Sequence, residues 1–198
     1  MNLPNDKISG DCHGKERMKI NIGSNTVRHD GFKNLDIRPA EGVDIIDDAG
    51  SMDSIAAGSC EAIVAHSILE HFAYDEVQII CDLWTSKLCP GGWIEIGVPD
   101  MYLIMLRYLF CIPNNRHENI WPWQRWTQMN HSIFGNMDLL REWHGDDANK
   151  YGHHVLFTPG HLRSVMRRSG LHRIRRMHRN HRDNVTLRGL KPSTNLVS

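Results

Sequence analysis

The segment 19–36 constrains the fold of this chain more than any other. Alternating isoleucines form a short strand that Gly23-Ser24-Asn25 interrupts, and a second apolar run ends at Asp36. In an α/β sheet, the carboxyl ends of neighbouring strands meet at the edge where nucleoside ligands bind. A glycine lets backbone amides approach such a ligand, and a carboxylate accepts hydrogen bonds from both ribose hydroxyls. The segment therefore predicts a nucleoside-binding site.

Apolar runs of strand length recur through the first half of the chain. Strands are predicted at Lys19–Gly23, Lys33–Asp36, Val43–Asp47, Cys60–Ala65 and Trp93–Val98. Apolar residues at helical spacing predict a helix over Tyr74–Leu88, which Cys89-Pro90-Gly91-Gly92 ends. Strands separated by helices predict a parallel sheet with right-handed crossovers.

The last third of the chain also has a regular pattern. Thr158 is expected to cap a helix whose first residue is Pro159 and which ends at Ser169-Gly170. Two final strands are predicted at Leu171–Met177 and Asn184–Leu190, with a basic turn between them.

The middle of the chain, 101–151, is less regular and contains a cluster of three tryptophans, Trp121, Trp123 and Trp126. Tryptophans with polar neighbours can line a substrate cleft. Burial in an irregular core is the favoured interpretation, because aromatic residues dominate core burial generally.

The length of 198 residues predicts one domain with one core. Residues 1–17 are polar and predict a flexible N-terminal extension, whereas 18–192 form a single domain with a substrate-side insertion at about 101–151. No apolar run approaches the length of a membrane span, and no signal peptide is predicted. The five scattered cysteines lack C-x-x-C spacing, which predicts a reduced, cytoplasmic location.

Charge is balanced overall, with 23 basic and 23 acidic residues, but it is unevenly distributed. From His161 onward the chain has ten basic residues and one acid, Asp183. These arginines either bind phosphates of a nucleic acid or nucleotide-linked sugar, or protect an edge strand from aggregation. The edge-strand interpretation is favoured because the segment has no aromatic residues for stacking on bases.

Eight short motifs follow one another at regular positions along most of the chain. They cover residues 20–25, 30–39, 43–48, 66–72, 88–92, 96–100, 131–135 and 154–158. Together, over about 19–191, they resemble class I S-adenosylmethionine-dependent methyltransferases, and are closest to small predicted methyltransferases often associated with surface-polysaccharide gene sets. The resemblance implies a Rossmann-like, doubly wound α/β fold: a mostly parallel seven-stranded sheet whose last strand is antiparallel.

One motif departs from that family. Its members usually have Gly-x-Gly after the first strand, where this chain has Gly23-Ser24-Asn25. Asparagine tolerates positive φ, so the turn can form, but its side chain would crowd a ligand lying against the backbone.

The resemblance implies S-adenosylmethionine as cofactor and a set of residues that bind it. Gly23 with Ser24 and Asn25 would face the methionine part, and Asp36 would bind the ribose. Asp48 would contact the adenine amino group, with Asp47 as the competing assignment. His66 and Ser67 would lie beneath the cofactor. The following Leu69-Glu70-His71 is expected to begin a helix, and either a structural or a functional role is open for His71.

Methyl transfer requires mainly the alignment of a nucleophile with the activated methyl group. A base is needed where a hydroxyl acceptor must lose its proton. The candidates are His131 and Asp100, with His66 as a third. The implied acceptor is a small or carbohydrate-type molecule, methylated at oxygen, between the end of strand five and the segment 101–151.

Three other function classes are weighed against this one. A non-catalytic methyltransferase-like partner module is favoured by Asn25 and disfavoured by the retained Asp36. A nucleic-acid methyltransferase is not favoured, because the Asn/Asp-Pro-Pro-Tyr/Phe motif of amino-directed DNA enzymes is absent. An NAD-dependent oxidoreductase ranks last, because the full G-x-G-x-x-G motif is missing.

No metal site is predicted. His153-His154 are adjacent, and no carboxylate or cysteine accompanies them at a ligand-like spacing. His172, His178 and His181 lie among arginines, whose charge opposes a dication.

Overall fold

The computed structural model describes residues 17–23, 27–109, 129–131, 133–177 and 184–193. The strands are β1 (Met18–Ile22), β2 (Lys33–Asp36), β3 (Ile45–Ile46), β4 (Cys60–His66), β5 (Leu88–Pro99), β6 (His172–Arg176) and β7 (Asn184–Leu190). The helices are α1 (Val77–Lys87), α2 (Met101–Leu109), α3 (Met137–His144) and α4 (Pro159–Arg168), with 3₁₀ turns at Leu69–His71 and Gly145–Tyr151.

Several sequence predictions fall outside the described residues. They concern the N-terminal extension up to residue 16, Ser24, Asn25, the three tryptophans between 121 and 126, and the basic turn at 178–183.

One sheet of seven strands forms the centre of the fold, in the order β3-β2-β1-β4-β5-β7-β6. Strands β1 to β5 pair in parallel, whereas β7 is antiparallel to both of its neighbours. This arrangement confirms the predicted mostly parallel sheet with a reversed last strand.

Several element boundaries differ from the predictions; β1, β4 and β6 differ by one residue at one or both ends, and β3 is reduced to Ile45–Ile46. Helix α1 begins at Val77, because residues 73–76 form a turn in which Glu76 accepts a hydrogen bond from the Ala73 N–H (3.0 Å). Leu69–His71 is a separate 3₁₀ turn and does not begin α1. The helix ends before residues 89–92 as predicted, but strand β5 starts at Leu88, which pairs with Cys60, and not at the predicted Trp93.

The hydrophobic core lies between one face of the sheet and helices α1 and α4. Isoleucines of β1, β4 and β5 pack there against Trp84 of α1 and Leu162 of α4, all of them fully buried. Burial of one such aliphatic side chain contributes about 1.5–3 kcal/mol. Helix α4 begins as predicted, with the Thr158 hydroxyl accepting a hydrogen bond from the His161 N–H (3.1 Å).

The opposite face of the sheet carries polar side chains that hydrogen-bond to one another. The Asn21 amide on β1 donates to Asn34 Oδ1 on β2 (3.0 Å). Between β5 and β7, Glu95 lies directly opposite Arg188, whose Nε and Nη2 donate to Glu95 Oε2 at 3.1 and 2.9 Å. Glu95 is completely buried, so its carboxylate lies in the interior of the protein with the Arg188 guanidinium as its partner.

The arginine-rich strand β6 lies at an edge of the sheet, as the favoured interpretation of its charges requires. Its register with β7 shifts between His172 and Arg175, and Arg173 has a positive φ of 49°. A bulge and charged side chains both discourage pairing with another chain. Within the described residues, no helix is both long enough and apolar enough to cross a membrane.

Candidate functional site

A cavity of about 450 Å³ opens at the carboxyl ends of β1, β2 and β4. Gly23, Asp36, Asp48 and Ser67 all line it, so the structure brings four of the predicted site residues together. The volume lies within the range of small-molecule sites, roughly 300–1,000 Å³. The position matches the edge of an α/β sheet at which nucleoside ligands bind.

Gly23 forms the turn that follows β1. Its φ is +62°, and a Cβ built there would lie 2.8 Å from the Ile68 Cδ1 atom. Its N–H donates to the Leu35 carbonyl (2.9 Å), which fixes the turn against β2. Only glycine satisfies both the backbone conformation and the close approach of Ile68.

Asp36 is the last residue of β2 and is 8% exposed. Its Oδ1 accepts a hydrogen bond from the Arg38 N–H (3.1 Å), and Arg38 Nε lies 3.8 Å from the same oxygen. These contacts hold the carboxylate at the cavity wall. A carboxylate in this place can accept hydrogen bonds from a diol.

The loop after β3 distinguishes Asp47 from Asp48. The Asp47 carboxylate accepts hydrogen bonds from the Asp48 N–H (2.7 Å), from the Ser54 N–H (2.8 Å) and from the Ser54 hydroxyl. Burial raises the pKa of Asp47, but the hydrogen bonds from Ser54 and its neighbours outweigh it, so the net pKa is lowered. Asp48, by contrast, lines the cavity, and its Oδ1 accepts from the Gly50 N–H (2.7 Å).

Ser67 and His66 follow each other at the end of β4 but lie in different places. Ser67 has a positive φ of 53°, donates its N–H to the Gly97 carbonyl (2.8 Å) and lines the cavity. The His66 ring lies on the polar face of the sheet, where its Nε2 is 3.0 Å from Glu95 Oε1. His66 is not among the residues that line the cavity.

The two predicted bases also lie away from the cavity lining. Asp100 is 3% exposed and caps helix α2, since its Oδ1 accepts hydrogen bonds from the Tyr102 N–H (3.1 Å) and the Leu103 N–H (3.4 Å). Its Oδ2 lies 3.5 Å from Nη2 of Arg176. His131 is half-buried in a short helical stretch, and its carbonyl accepts from the Gly135 N–H (3.0 Å).

The cavity also has lining residues that the sequence did not identify. Ile68 and Phe72 come from the turn after β4, while Leu140 and Tyr151 come from the middle segment. His71, whose role the sequence left open, lines the cavity too. The middle segment therefore reaches the cavity, and its role as a substrate-side insertion stays a prediction. The motif at 66–72 was the signal in the sequence for the residues after β4. The motif does not show which of its side chains face the cavity.

Beside the cavity, His71 lies against a buried carboxyl group. Burial raises the pKa of Glu70 to about 8, partly offset by its own backbone N–H. Burial lowers the pKa of His71, although hydrogen bonds to the Tyr151 and Gly152 carbonyls oppose this effect. The His71 and His153 rings are in edge-to-face contact, with centroids 4.9 Å apart.

Comparison with solved structures shows which proteins share this fold. A possible exported protein from Bordetella parapertussis has a TM-score of 0.55 at 12% identity, over 89% of this chain and 63% of that one. A SAM-dependent methyltransferase from Archaeoglobus fulgidus also has a TM-score of 0.55, at 11% identity, over 88% of this chain and 86% of that one. The 1,6-didemethyltoxoflavin-N1-methyltransferase of Burkholderia thailandensis, solved with 1,6-didemethyltoxoflavin and S-adenosylhomocysteine, has a TM-score of 0.52 at 9% identity, over 89% and 72%.

No family model and no curated protein matches the sequence. At these identities the structural likeness shows the fold alone, and the fold is the one that the resemblance of the motifs implied. The chain spans under two thirds of the length of the Bordetella protein.

Proposed function

We propose that this chain is an S-adenosylmethionine-dependent methyltransferase that acts on a small or carbohydrate-type acceptor, at oxygen. The observation that carries the proposal is the convergence of the Gly23 turn and the Asp36 carboxylate on one cavity at the carboxyl edge of the sheet. One of the similar structures is a SAM-dependent methyltransferase, and a second, an N1-methyltransferase, has S-adenosylhomocysteine bound.

The residues at the cavity suit the parts of S-adenosylmethionine. A turn without a Cβ at Gly23 leaves room for a ligand to lie against the backbone. Asp36 accepts hydrogen bonds from the ribose hydroxyls, and Asp48 from the adenine amino group. Ser67 lies on the β4 side of the same cavity, beneath the cofactor. Ser24 and Asn25 lie outside the described residues, and their part in this site stays a prediction.

The sulfonium group supplies an activated methyl, so the protein has mainly to align the acceptor oxygen with it. Leu140 and Tyr151 of the middle segment, together with His71, line the cavity beside the cofactor residues and are proposed to contact the acceptor. His131 and Asp100 stay predictions as bases, as does His66, since none of them lines the cavity. The cytoplasmic location likewise stays a prediction.

Titration calorimetry with S-adenosylmethionine and S-adenosylhomocysteine tests the cofactor site. Wild-type protein should bind both, and Asp36→Ala should weaken binding at least about tenfold, since hydrogen bonds to a charged group contribute about 1.5–3 kcal/mol. Asp30→Ala is the matched control, because Asp30 is an exposed acid in the turn before β2, away from the cavity lining. Failure of the wild type to bind either compound would refute the cofactor site.

Turnover then separates an enzyme from a non-catalytic module. Formation of S-adenosylhomocysteine in the presence of sugar or nucleotide-sugar acceptors supports the proposed reaction. Cofactor binding without turnover on any acceptor class would favour the partner module. Turnover on nucleic acid that falls steeply with added salt would instead indicate the nucleic-acid enzyme.

A further inference from the structure

Glu70, His71 and His153 form a compact group of metal-ligand side chains beside the cavity, which we call the Glu-His-His cluster. One potential ligand atom from each residue lies within 4.8 Å of the other two. His153 Nε2 is 4.0 Å from Glu70 Oε1. His71 lines the cavity, so the cluster is next to the proposed cofactor and acceptor site.

Backbone hydrogen bonds hold the two parts of the cluster together. The Glu70 carbonyl accepts from the N–H groups of His154 (2.8 Å) and Val155 (3.3 Å). The His153 N–H donates to the Phe134 carbonyl (3.1 Å). These bonds hold the backbone of residues 153–155 against Glu70, so the fold brings the two side chains close together.

The Glu70 carboxyl group is the observation that points to a ligand. Glu70 is 0% exposed, and neither Oε1 nor Oε2 has a hydrogen-bond partner in another described residue. Burial of a carboxylate without a compensating partner is costly, and buried charges in proteins are normally paired or bound to a metal. A bound cation would satisfy both oxygens.

The hydrogen bonds of His71 assign its tautomer. Its Nδ1 lies 2.7 Å from the Tyr151 carbonyl oxygen and 3.2 Å from that of Gly152. A carbonyl only accepts, so Nδ1 carries the proton and Nε2 holds the lone pair. Metal-ligating histidines commonly donate one ring nitrogen to a carbonyl in this way and bind the ion through the other.

We propose that the Glu-His-His cluster binds one divalent transition-metal ion, with Zn²⁺ as the preferred ion. Two imidazoles and one carboxylate are a donor set that zinc takes, with a fourth position open to water or another ligand. Mg²⁺ and Ca²⁺ prefer oxygen ligands and are expected to bind weakly here. Ligand atoms of a tetrahedral site lie roughly 3.4 Å apart, given metal–ligand distances near 2.1 Å, so binding draws the side chains together by about 1 Å.

The test uses full-length, tag-free protein treated with a chelator and titrated by calorimetry with Zn²⁺ alone. Co²⁺ absorption provides a second readout that reports coordination directly. Wild-type protein should bind one ion per chain and gain thermal stability, whereas Mg²⁺ should have no such effect. His153→Ala should weaken Zn²⁺ binding at least about 100-fold, and Glu70→Gln at least about tenfold, since loss of a supporting partner alone costs 10–100-fold.

His154→Ala is the matched control, because it removes an exposed histidine next to His153 that is not a member of the cluster. Its Zn²⁺ affinity should stay within about twofold of wild type. If His153→Ala and His154→Ala lost Zn²⁺ affinity equally, the assignment would be overturned. Wild-type protein that binds no Zn²⁺ would overturn it as well. Glu70→Gln preserves the size of the buried side chain, so it still decides the question if His153→Ala does not fold.

The measurement needs no methyl donor and is independent of the proposed transfer reaction. Zn²⁺ binding without S-adenosylhomocysteine binding would support the metal site and refute the cofactor site. The reverse result would leave the proposed function intact and overturn the metal site.

Discussion

Gly23 and Ile68 lie so close that a Cβ on the glycine would be 2.8 Å from the Ile68 Cδ1 atom. One residue follows β1 and the other follows β4, and both line the same cavity. The contact couples the turn after the first strand to the motif at 66–72. The shape of the candidate site therefore depends on the absence of a side chain at position 23.

Gly23→Ala should weaken S-adenosylhomocysteine binding at least tenfold and lower the free energy of unfolding by about 1–2 kcal/mol, from the left-handed backbone alone. Calorimetry and denaturant unfolding measure the two effects. Gly58→Ala is the control: its φ is +69°, but a Cβ there meets nothing within 4 Å. Gly58→Ala should lose similar stability and keep its affinity; equal losses of affinity would contradict the role of the Ile68 contact.

Arg188→Ala should lower the free energy of unfolding by about 3–5 kcal/mol, because it leaves the buried Glu95 without its main cationic partner. The double variant Glu95→Leu/Arg188→Leu should recover most of this loss, since it removes both charges together. Denaturant unfolding at neutral pH measures the effect.

Lys19→Ala provides the comparison with an exposed ion pair. Lys19 Nζ lies 3.8 Å from Glu61 Oε1, and both side chains are at least 40% exposed. Its loss should cost at most about 1 kcal/mol. If Arg188→Ala and Lys19→Ala lowered the free energy of unfolding by similar amounts, burial of Glu95 would not explain the expected effect of Arg188→Ala.

Trp84→Phe should destabilise the protein by about 1–3 kcal/mol, because the buried Nε1–H of Trp84 donates to the Ala49 carbonyl (2.8 Å). Ala49 lies next to Asp48 in the cavity wall, so affinity for S-adenosylhomocysteine should also fall. Trp93→Phe is the control on the opposite face of the sheet and should leave that affinity unchanged. Loss of affinity in both variants would indicate a general effect of removing an indole.

Cys81 should resist alkylation in the native protein, because burial raises the pKa of its thiol from 9.0 to about 11. The thiolate is the reactive form, so near pH 8 labelling should be at least about 100-fold slower than in the unfolded chain. The stabilisation from the protonated thiol is fully present below pH 9 and is lost as the pH rises through about 11. Iodoacetamide labelling with peptide mass spectrometry, native against denatured, measures this. Equal rates would contradict the prediction.

Strand positions were predictable where apolar alternation and turn residues agreed. Lys33–Asp36 and Asn184–Leu190 match β2 and β7 residue for residue, and Thr158 caps α4 as expected. The predicted boundaries were wrong where tertiary hydrogen bonds override the local signals in the sequence. Helix α1 does end before the glycines at 91 and 92, but backbone hydrogen bonds between these glycines and Lys191 start β5 earlier than the predicted Trp93.

The residues of the candidate site likewise divide into those that the sequence predicts and those that it does not. The sequence placed Gly23 and Asp36 at neighbouring strand ends, because parallel strands necessarily bring their carboxyl ends to one edge of the sheet. It did not distinguish His66 from Ser67. Ser67, where the backbone turns to positive φ, lines the cavity, whereas the His66 ring lies against Glu95 on the polar face of the sheet.

By itself, the sequence determined the order of strands and helices, the parallel sheet and the glycine–acid pair at its edge, because periodicity and turn chemistry are local properties. The tertiary structure alone decided that Glu70 and His153 meet. They come from segments separated along the chain by strand β5 and helices α1, α2 and α3, and no spacing pattern encodes their contact. Packing of the middle segment against the end of β4 buries the carboxyl group and brings the imidazoles beside it.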